Sequence, residues 1–266
     1  MQNKVNAIFF FVQSPSFEQL GSTYFRQLRT TLSINRKYFD HSILYTTENT
    51  QIPPDIRFDA VIRMHSRYRY YPHFMRVMSW LEYMESTLFD CDTVFLDADV
   101  VFHRRIDEVF KETFGLAFCA TPSPRTYSNV NSGCIFAKYA NRQKAQIHAR
   151  NLFEIAKTQR LVPEPRFPQF KYAGIWGGDE MCINTYLEKL AEQKNMSLRD
   201  LCLSVKFDSC FNLSDDVALF GAKYCSDPRS IDRSKWSSAS ILHFAGPQKE
   251  AMFQYCSQLD LVSGSS

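Results

Sequence analysis

Apolar positions along the first hundred residues come in short runs, separated by stretches with helical spacing. Residues 5–12 hold Ala7-Ile8-Phe9-Phe10-Phe11-Val12, a continuous run of the kind that a strand covered on both faces shows. Residues 17–33 then place Phe17, Leu20, Tyr24, Leu28 and Leu32 on one helical face. Residues 41–46 and 60–64 read as short strands. Residues 74–88 carry Val77, Leu81, Met84 and Leu88 at helical spacing, and residues 93–96 form a third apolar strand that runs into Asp97-Ala98-Asp99. Strand and helix alternate, which predicts an α/β chain with a mostly parallel central sheet flanked by helices.

The second half is less regular. Strands are expected over residues 115–120, 132–138 and 241–244, and helices over 142–158, 179–193 and 249–259. Asp179 is placed to cap the start of its helix. Residues 161–172 hold three prolines and read as a loop, and residues 194–240 as short irregular elements. No repeat, low-complexity block or linker breaks the pattern. One domain over residues 1–262 is expected, followed by a flexible Ser263-Gly264-Ser265-Ser266 tail.

Composition narrows the function classes. With 31 Lys and Arg against 28 Asp and Glu among 266 residues, the net charge is +3, too balanced for a dedicated nucleic-acid binder. No apolar run reaches the roughly 18 residues of a membrane span. The run after Lys4 imitates a signal peptide, but Gln13-Ser14-Pro15 is a poor cleavage site, and a buried first strand explains it better. Eight cysteines lack any CxxC pair and sit mostly beside apolar residues. They read as reduced, buried thiols of a cytoplasmic protein, which makes the sequons at Asn195 and Asn212 chance matches.

Chemistry concentrates at Asp97-Ala98-Asp99. At a strand end, period two puts both carboxylates on one face, where they repel unless a cation neutralises them. Hard oxygen ligands suit Mg²⁺ or Mn²⁺. Asp-x-Asp also occurs in solvated surface turns, so the motif alone leaves both readings open. His243, in Ile241-Leu242-His243-Phe244-Ala245-Gly246-Pro247-Gln248-Lys249, could be an ordinary core histidine. Gly246 allows close approach to a phosphate and Lys249 can neutralise it. The basic, aromatic segment of residues 63–73 reads either as an active-site loop able to stack on bases or sugars, or as plain surface.

Five segments together resemble the GT-A (Rossmann-like) retaining glycosyltransferases that include glycogenin and the lipooligosaccharide galactosyltransferases. Arg76 with nearby Trp80 is similar to that family's basic residue on the helix before the metal strand. Thr93-Val94-Phe95-Leu96-Asp97-Ala98-Asp99 resembles the metal strand itself. Asn131-Ser132-Gly133-Cys134-Ile135-Phe136 resembles an Asn-Ser-Gly strand, Gly178-Asp179-Glu180 a Gly-Asp-Gln helix start, and His243-Phe244-Ala245-Gly246 with Lys249 the terminal His-Phe-x-Gly-x-x-Lys.

The resemblance implies that Asp97, Asp99 and His243 bind a divalent metal, Mn²⁺ or Mg²⁺. It implies that Gly246 and Lys249 hold a diphosphate, and that Arg76, Asp97, Asn131, Ser132, Gly178 and Asp179 line the donor site. Asp179 and Glu180 are the catalytic candidates, able to stabilise positive charge at the anomeric carbon. Glu180 stands where the family has glutamine, so it adds a carboxylate that could serve as base or nucleophile. The expected activity is metal-dependent hexose transfer, with retention, from a nucleotide-diphosphate sugar such as a UDP-sugar to a glycan, glycolipid or protein acceptor, with peripheral membrane contact open. Two competing readings are a sugar nucleotidyltransferase and a non-catalytic nucleotide-sugar binder. The first would want a Gly-rich basic loop after the first strand, which Val12-Gln13-Ser14-Pro15-Ser16 is not.

Overall fold

A computed structural model of the chain describes residues 4–13, 21–125, 128–163, 172–175, 177–229, 233–245 and 248–263. Ten strands are described: β1 (Val5–Phe10), β2 (His41–Thr47), β3 (Ala60–Met64), β4 (Asp92–Leu96), β5 (Val100–Phe102), β6 (Leu116–Arg125), β7 (Ser128–Ala137), β8 (Cys210–Asn212), β9 (Val217–Phe220) and β10 (Ile241–His243). The helices are α1 (Gly21–Asn35), α2 (Pro72–Glu85), α3 (Arg142–Gln159), α4 (Gly178–Glu192), α5 (Leu198–Ser204) and α6 (Lys249–Ser263). Eight strands form the central sheet in the order β3-β2-β1-β4-β7-β6-β9-β8, while β10 and β5 pair as a small second sheet.

The apolar runs become strands covered on both faces, as their unbroken hydrophobicity requires. Along β1, Val5, Ala7 and Phe9 enter one core with Leu28 and Leu32 of α1, while Ile8 enters another with Val77, Trp80 and Met84 of α2. In β4, Val94 and Leu96 face the first core and Phe95 the second. A third cluster joins Val101 and Leu242 of the small sheet to Phe244, Met252 and Phe253 at α6.

Strand direction puts the chemistry at one edge. β1 runs parallel to β2 and β4, so their carboxyl ends lie together. β7 is antiparallel to β4 with Leu96 opposite Cys134, so the start of Asn131-Ser132-Gly133 lies at that same edge, beside Asp97. β10 is antiparallel to β5 with His243 opposite Val100, which brings the last strand back beside Asp99.

Several expectations change in detail. β6 and β7 are each ten residues, longer than the pattern indicated, because they pair with each other beyond the reach of the sheet's other strands. The irregular stretch after residue 194 contains α5, β8 and β9, and β9 is a buried parallel neighbour of β6. Phe17 and Leu20 of the expected first helix, and the tail after residue 263, lie outside the described residues. None of the eight cysteines is joined to another; six are buried, and Cys91 and Cys210 are partly exposed.

The small sheet is clamped by one buried side chain. Asn35, at the end of α1, donates from Nδ2 to the Val100 carbonyl at 2.6 Å and accepts the Phe102 N–H at 2.9 Å. Asn35→Ala strands both backbone groups in the core, at about 1–3 kcal/mol for each group left unsatisfied. Urea unfolding should show that loss, with the midpoint lowered and the slope unchanged.

Candidate active site

The Asp97-Ala98-Asp99 unit is a turn and not the end of a strand. β4 stops at Leu96 and β5 starts at Val100, so the period-two argument for pairing the carboxylates does not apply. They converge because each residue of the turn is tied down separately. Asp97 donates its N–H to the Gly133 carbonyl at 3.1 Å, and the Asp99 carbonyl accepts the Phe244 N–H at 2.9 Å. Between them the Ala98 carbonyl accepts the Thr31 hydroxyl at 2.9 Å. Asp99 is buried, and Asp97 is about a quarter exposed, at 27%.

His243 closes the cluster. Its Nε2 lies 3.3 Å from Asp97 Oδ2 and 3.3 Å from Asp99 Oδ1. The opposite ring nitrogen is 2.6 Å from Asn131 Oδ1. That same oxygen accepts the Gly133 N–H at 2.9 Å, which identifies it as the oxygen of the amide. Nδ1 must therefore donate, and in the neutral form of the ring the lone pair lies at Nε2, toward the two carboxylates. One nitrogen and two oxygen lone pairs then face one point, which is the donor set a divalent cation needs. The three side chains form the one His/Cys/Asp/Glu group among the described residues whose ligand atoms all lie within 4.8 Å. Burial works against a charged His243, but Asp97 more than offsets it, so the imidazole pKa is raised when only carboxylates face it.

The residues expected around this cluster divide by what they touch. Asn131 commits its amide to His243, Gly133 and, through Nδ2, the Cys225 carbonyl at 3.4 Å. Gly133 packs directly under the imidazole, where any Cβ would overlap the ring. Lys249, the first residue of α6, pairs with Asp99 and donates to the Phe244 carbonyl at 3.2 Å. Burial pushes its ammonium pKa down to about 8, against the pull of Asp97. Gly178 sits against the Ala173 carbonyl with no room for a side chain, and Gly177 before it takes φ +72°. Both glycines serve the turn that delivers Asp179. Glu180 is half-buried beside Asp179. Gly246 lies outside the described residues.

Arg76 ties the cluster to α4. Its guanidinium meets Asp97 Oδ1 at 2.5 Å, Asp179 Oδ2 at 2.6 Å and the Ser132 carbonyl at 3.1 Å, and lies 5.4 Å from the centre of the Trp80 ring. Arg76 and Asp179 are buried, at 7% and 1% exposure. Burial alone would raise the Asp179 pKa, but His73 and Arg76 outweigh it and hold the carboxyl well below its usual range. His73, the last residue of the basic, aromatic segment, places Nδ1 2.5 Å from Asp179 Oδ1. The available signal was its spacing: His73 and Arg76 stand three apart on α2, and so on one face. Tyr24 was read only as a core position. Its hydroxyl donates to the Phe10 carbonyl at 2.6 Å, and its ring stacks on Phe11 at 4.1 Å, at the carboxyl end of β1.

No family profile matches the chain, and no curated protein does. Solved structures do. Over 95% of this chain and 95% of the other, the fold matches the galactosyltransferase LgtC, solved with donor and acceptor sugar analogues, at a TM-score of 0.53 and 10% identity. A glycosyltransferase involved in glycosylation of the major capsid of PBCV-1 matches at 0.52 and 10% identity, over 94% of this chain and 98% of that one. The fold is GT-A. The glycosyltransferase GlyE of Streptococcus pneumoniae TIGR4 shares it at 0.54 and 13% identity, over 95% of this chain and 61% of GlyE. Within the GT-A fold, the described residues include no helix long and apolar enough to cross a membrane.

Arg76→Met should lower stability by about 3–5 kcal/mol at pH 7, because it leaves two carboxylates without their cation, one of them fully buried. The sign with pH follows from Asp179. Its pKa is depressed in the folded parent, so its contribution is present above the ordinary carboxylate range and fades as pH falls toward the depressed value. In Arg76→Met the carboxyl regains a proton more readily, so the gap between parent and variant narrows in acid. Urea titrations at pH 7 and near pH 4 check both statements.

Proposed function

We propose that the chain is a metal-dependent glycosyltransferase that moves a hexose from a nucleotide-diphosphate sugar, in the first instance a UDP-sugar, to a glycan, glycolipid or protein acceptor. Residues 1–262 would act as one catalytic domain. The observation that carries the reading is the convergence of His243 Nε2 with one oxygen each of Asp97 and Asp99, in a tautomer set by Asn131. The GT-A fold and the activities of LgtC, GlyE and the capsid glycosyltransferase support it. Eight unbridged cysteines support a reducing compartment, and with it the cytoplasm.

Asp97, Asp99 and His243 would hold the cation, with Mn²⁺ the first choice and Mg²⁺ the second, since two carboxylates and an imidazole suit either. A bound divalent cation supplies charge stabilisation for the departing diphosphate. The chain's own groups do the rest. Lys249 borders the same carboxylates and can shift its ammonium from Asp99 to a phosphate oxygen. Arg76 and Asn131 are committed to holding ligands in place, so donor contact through them would be secondary to that role. Glu180, beside Asp179 and partly open, remains the carboxylate able to face positive charge at the anomeric carbon. Retention is the outcome the resemblance implies, and the anomeric configuration of the product reads it directly.

Asp99→Ala and His243→Ala should each abolish Mn²⁺-dependent UDP binding in calorimetry while the circular dichroism spectrum is kept. Unchanged affinity in both variants overturns the assigned site. UDP binding followed by metal-dependent release of UDP from UDP-hexoses separates transfer from binding alone; pyrophosphate exchange would point to a nucleotidyltransferase. Glu180→Gln should keep kcat for UDP-hexose hydrolysis within about tenfold, as expected of a sugar contact. A fall of about 10³-fold makes it a catalytic carboxylate.

A further inference from the structure

The proposed transfer leaves unused the basic, aromatic segment between β3 and α2. Residues 60–81 hold four arginines and no Asp or Glu, in a chain whose net charge is only +3. Two of the four are committed. Arg76 lies in the cluster, and Arg63 donates to the carbonyls of Thr47, Glu48 and Thr50 at 2.9, 3.3 and 3.0 Å. Arg67 is exposed and Arg69 partly so, and among the described residues both lie against neighbouring tyrosines and not against an acid. The Arg67 guanidinium is 5.4 Å from the centre of the Tyr68 ring, and that of Arg69 is 5.2 Å from the centre of the Tyr70 ring. Tyr70 is 49% exposed.

This surface is pinned in place. β3 runs parallel to β2, and β2 to β1, so the segment leaves the sheet at its carboxyl edge. Arg63 ties the start of the segment to the turn after β2. The side chain of His65 accepts the Arg67 N–H at 3.1 Å, the Ser66 carbonyl accepts the Arg69 N–H at 3.0 Å, and the Tyr68 carbonyl accepts the Tyr71 N–H at 2.7 Å. The Tyr68 ring packs edge-on against buried Phe74 with centres 5.2 Å apart, and Arg160, just past the end of α3, lies 5.7 Å from the centre of the same Phe74 ring. Like charges gathered on a fixed backbone repel, and an anion bound among them relieves the repulsion.

We propose that this surface receives the acceptor, and that the acceptor is an acidic saccharide, one that carries a phosphate or a carboxylate. This rests on the glycosyl-transfer reading above. The planar guanidinium fork meets either oxyanion with two parallel N–H donors. Tyr70 offers an exposed aromatic ring beside that fork, with an apolar body for a sugar ring and a polar tip for its hydroxyls. Position separates this partner from the donor. Lys249 and Asp99 stand at one end of the charged row, and Asp97, Arg76 and Asp179 lead from there to α2. Arg69 lies before the start of α2, at most about 17 Å along the backbone from Arg76, which is three extended residues and one helical turn. A glycan seated on the segment therefore approaches the site from the α2 side, away from Lys249. A membrane surface fits less well, because Tyr70 is the one strongly exposed large apolar side chain between residues 65 and 73.

Calorimetry at low salt tests the surface with three probes: trigalacturonate, a phosphorylated maltotriose and neutral maltotriose. The parent should bind at least one acidic trisaccharide about tenfold or more tightly than maltotriose, and Arg67→Gln combined with Arg69→Gln should remove about tenfold or more of that affinity. A control that removes two exposed charges elsewhere, Lys111→Gln with Lys189→Gln, should keep it. Equal affinity for acidic and neutral trisaccharides overturns the proposal, and so does an equal loss in the control. Binding to phosphatidylglycerol vesicles that needs both arginines, without binding of acidic trisaccharides, overturns it in favour of a membrane surface. A matching loss of Mn²⁺-dependent UDP affinity in the arginine variant overturns it in favour of the donor. Release of UDP from UDP-glucose, UDP-galactose and their N-acetylamino counterparts is measured alongside. A parent that binds acidic trisaccharides but releases UDP from none of these keeps the binding surface and overturns the transfer reading, and the acceptor role with it.

Discussion

Everything at the site depends on one buried guanidinium. Arg76 stands between Asp97 of the Asp97–Asp99–His243 cluster and Asp179 of α4, and takes a strand carbonyl of β7 as a third acceptor. Two acids placed this close in a dry setting would drive one of them to protonate or the elements apart. With Arg76 present they hold α2, β7, α4 and the Asp97 turn in one register. The indole of Trp80 lies against the same cation, which fixes it without a further charge.

A second constraint sits behind the cluster. His243 comes from the last strand, more than a hundred residues after the aspartates, and is aimed by Asn131 from β7. Asn131 is aimed in turn by the N–H of Gly133, and Gly133 must lack a side chain because the imidazole occupies that space. Asn-Ser-Gly is thus legible as a device: one residue sets the tautomer, one lends a carbonyl to Arg76, and one leaves room.

Function on a GT-A scaffold comes from groups at the carboxyl edge of the sheet, and not from the sheet itself. In this chain those groups form two linked sets. Asp97, Asp99 and His243 converge on one point, with Lys249 paired to Asp99, and form the first. Asp179 and His73 form the other, joined to the first through Arg76. The link makes the two sets mechanically interdependent, since a displacement of Asp97 is felt at Asp179 through a single side chain.

Much of this was readable before any coordinates. Alternation of apolar runs and amphipathic stretches determined the α/β class and nearly every helix, because burial on one face or two leaves a period in the chain. Asp97 and Asp99 stood out as a possible cation pair from their spacing, whereas Arg76, Asn131, Asp179 and His243 drew attention through the resemblance to the glycosyltransferase segments. Period two, however, wrongly placed the aspartates on a strand, since a turn joining two separate sheets leaves no signature in three residues. Strand β9 was missed inside an irregular stretch because four apolar residues carry too little pattern. The pairing of His73, at the end of the segment read as active-site loop or plain surface, was not legible because its partner lies 106 positions away, and only packing of α2 on α4 brings that carboxylate to it. Local periodicity is written in neighbouring residues, whereas the pairing of charges across elements is decided by which buried faces meet.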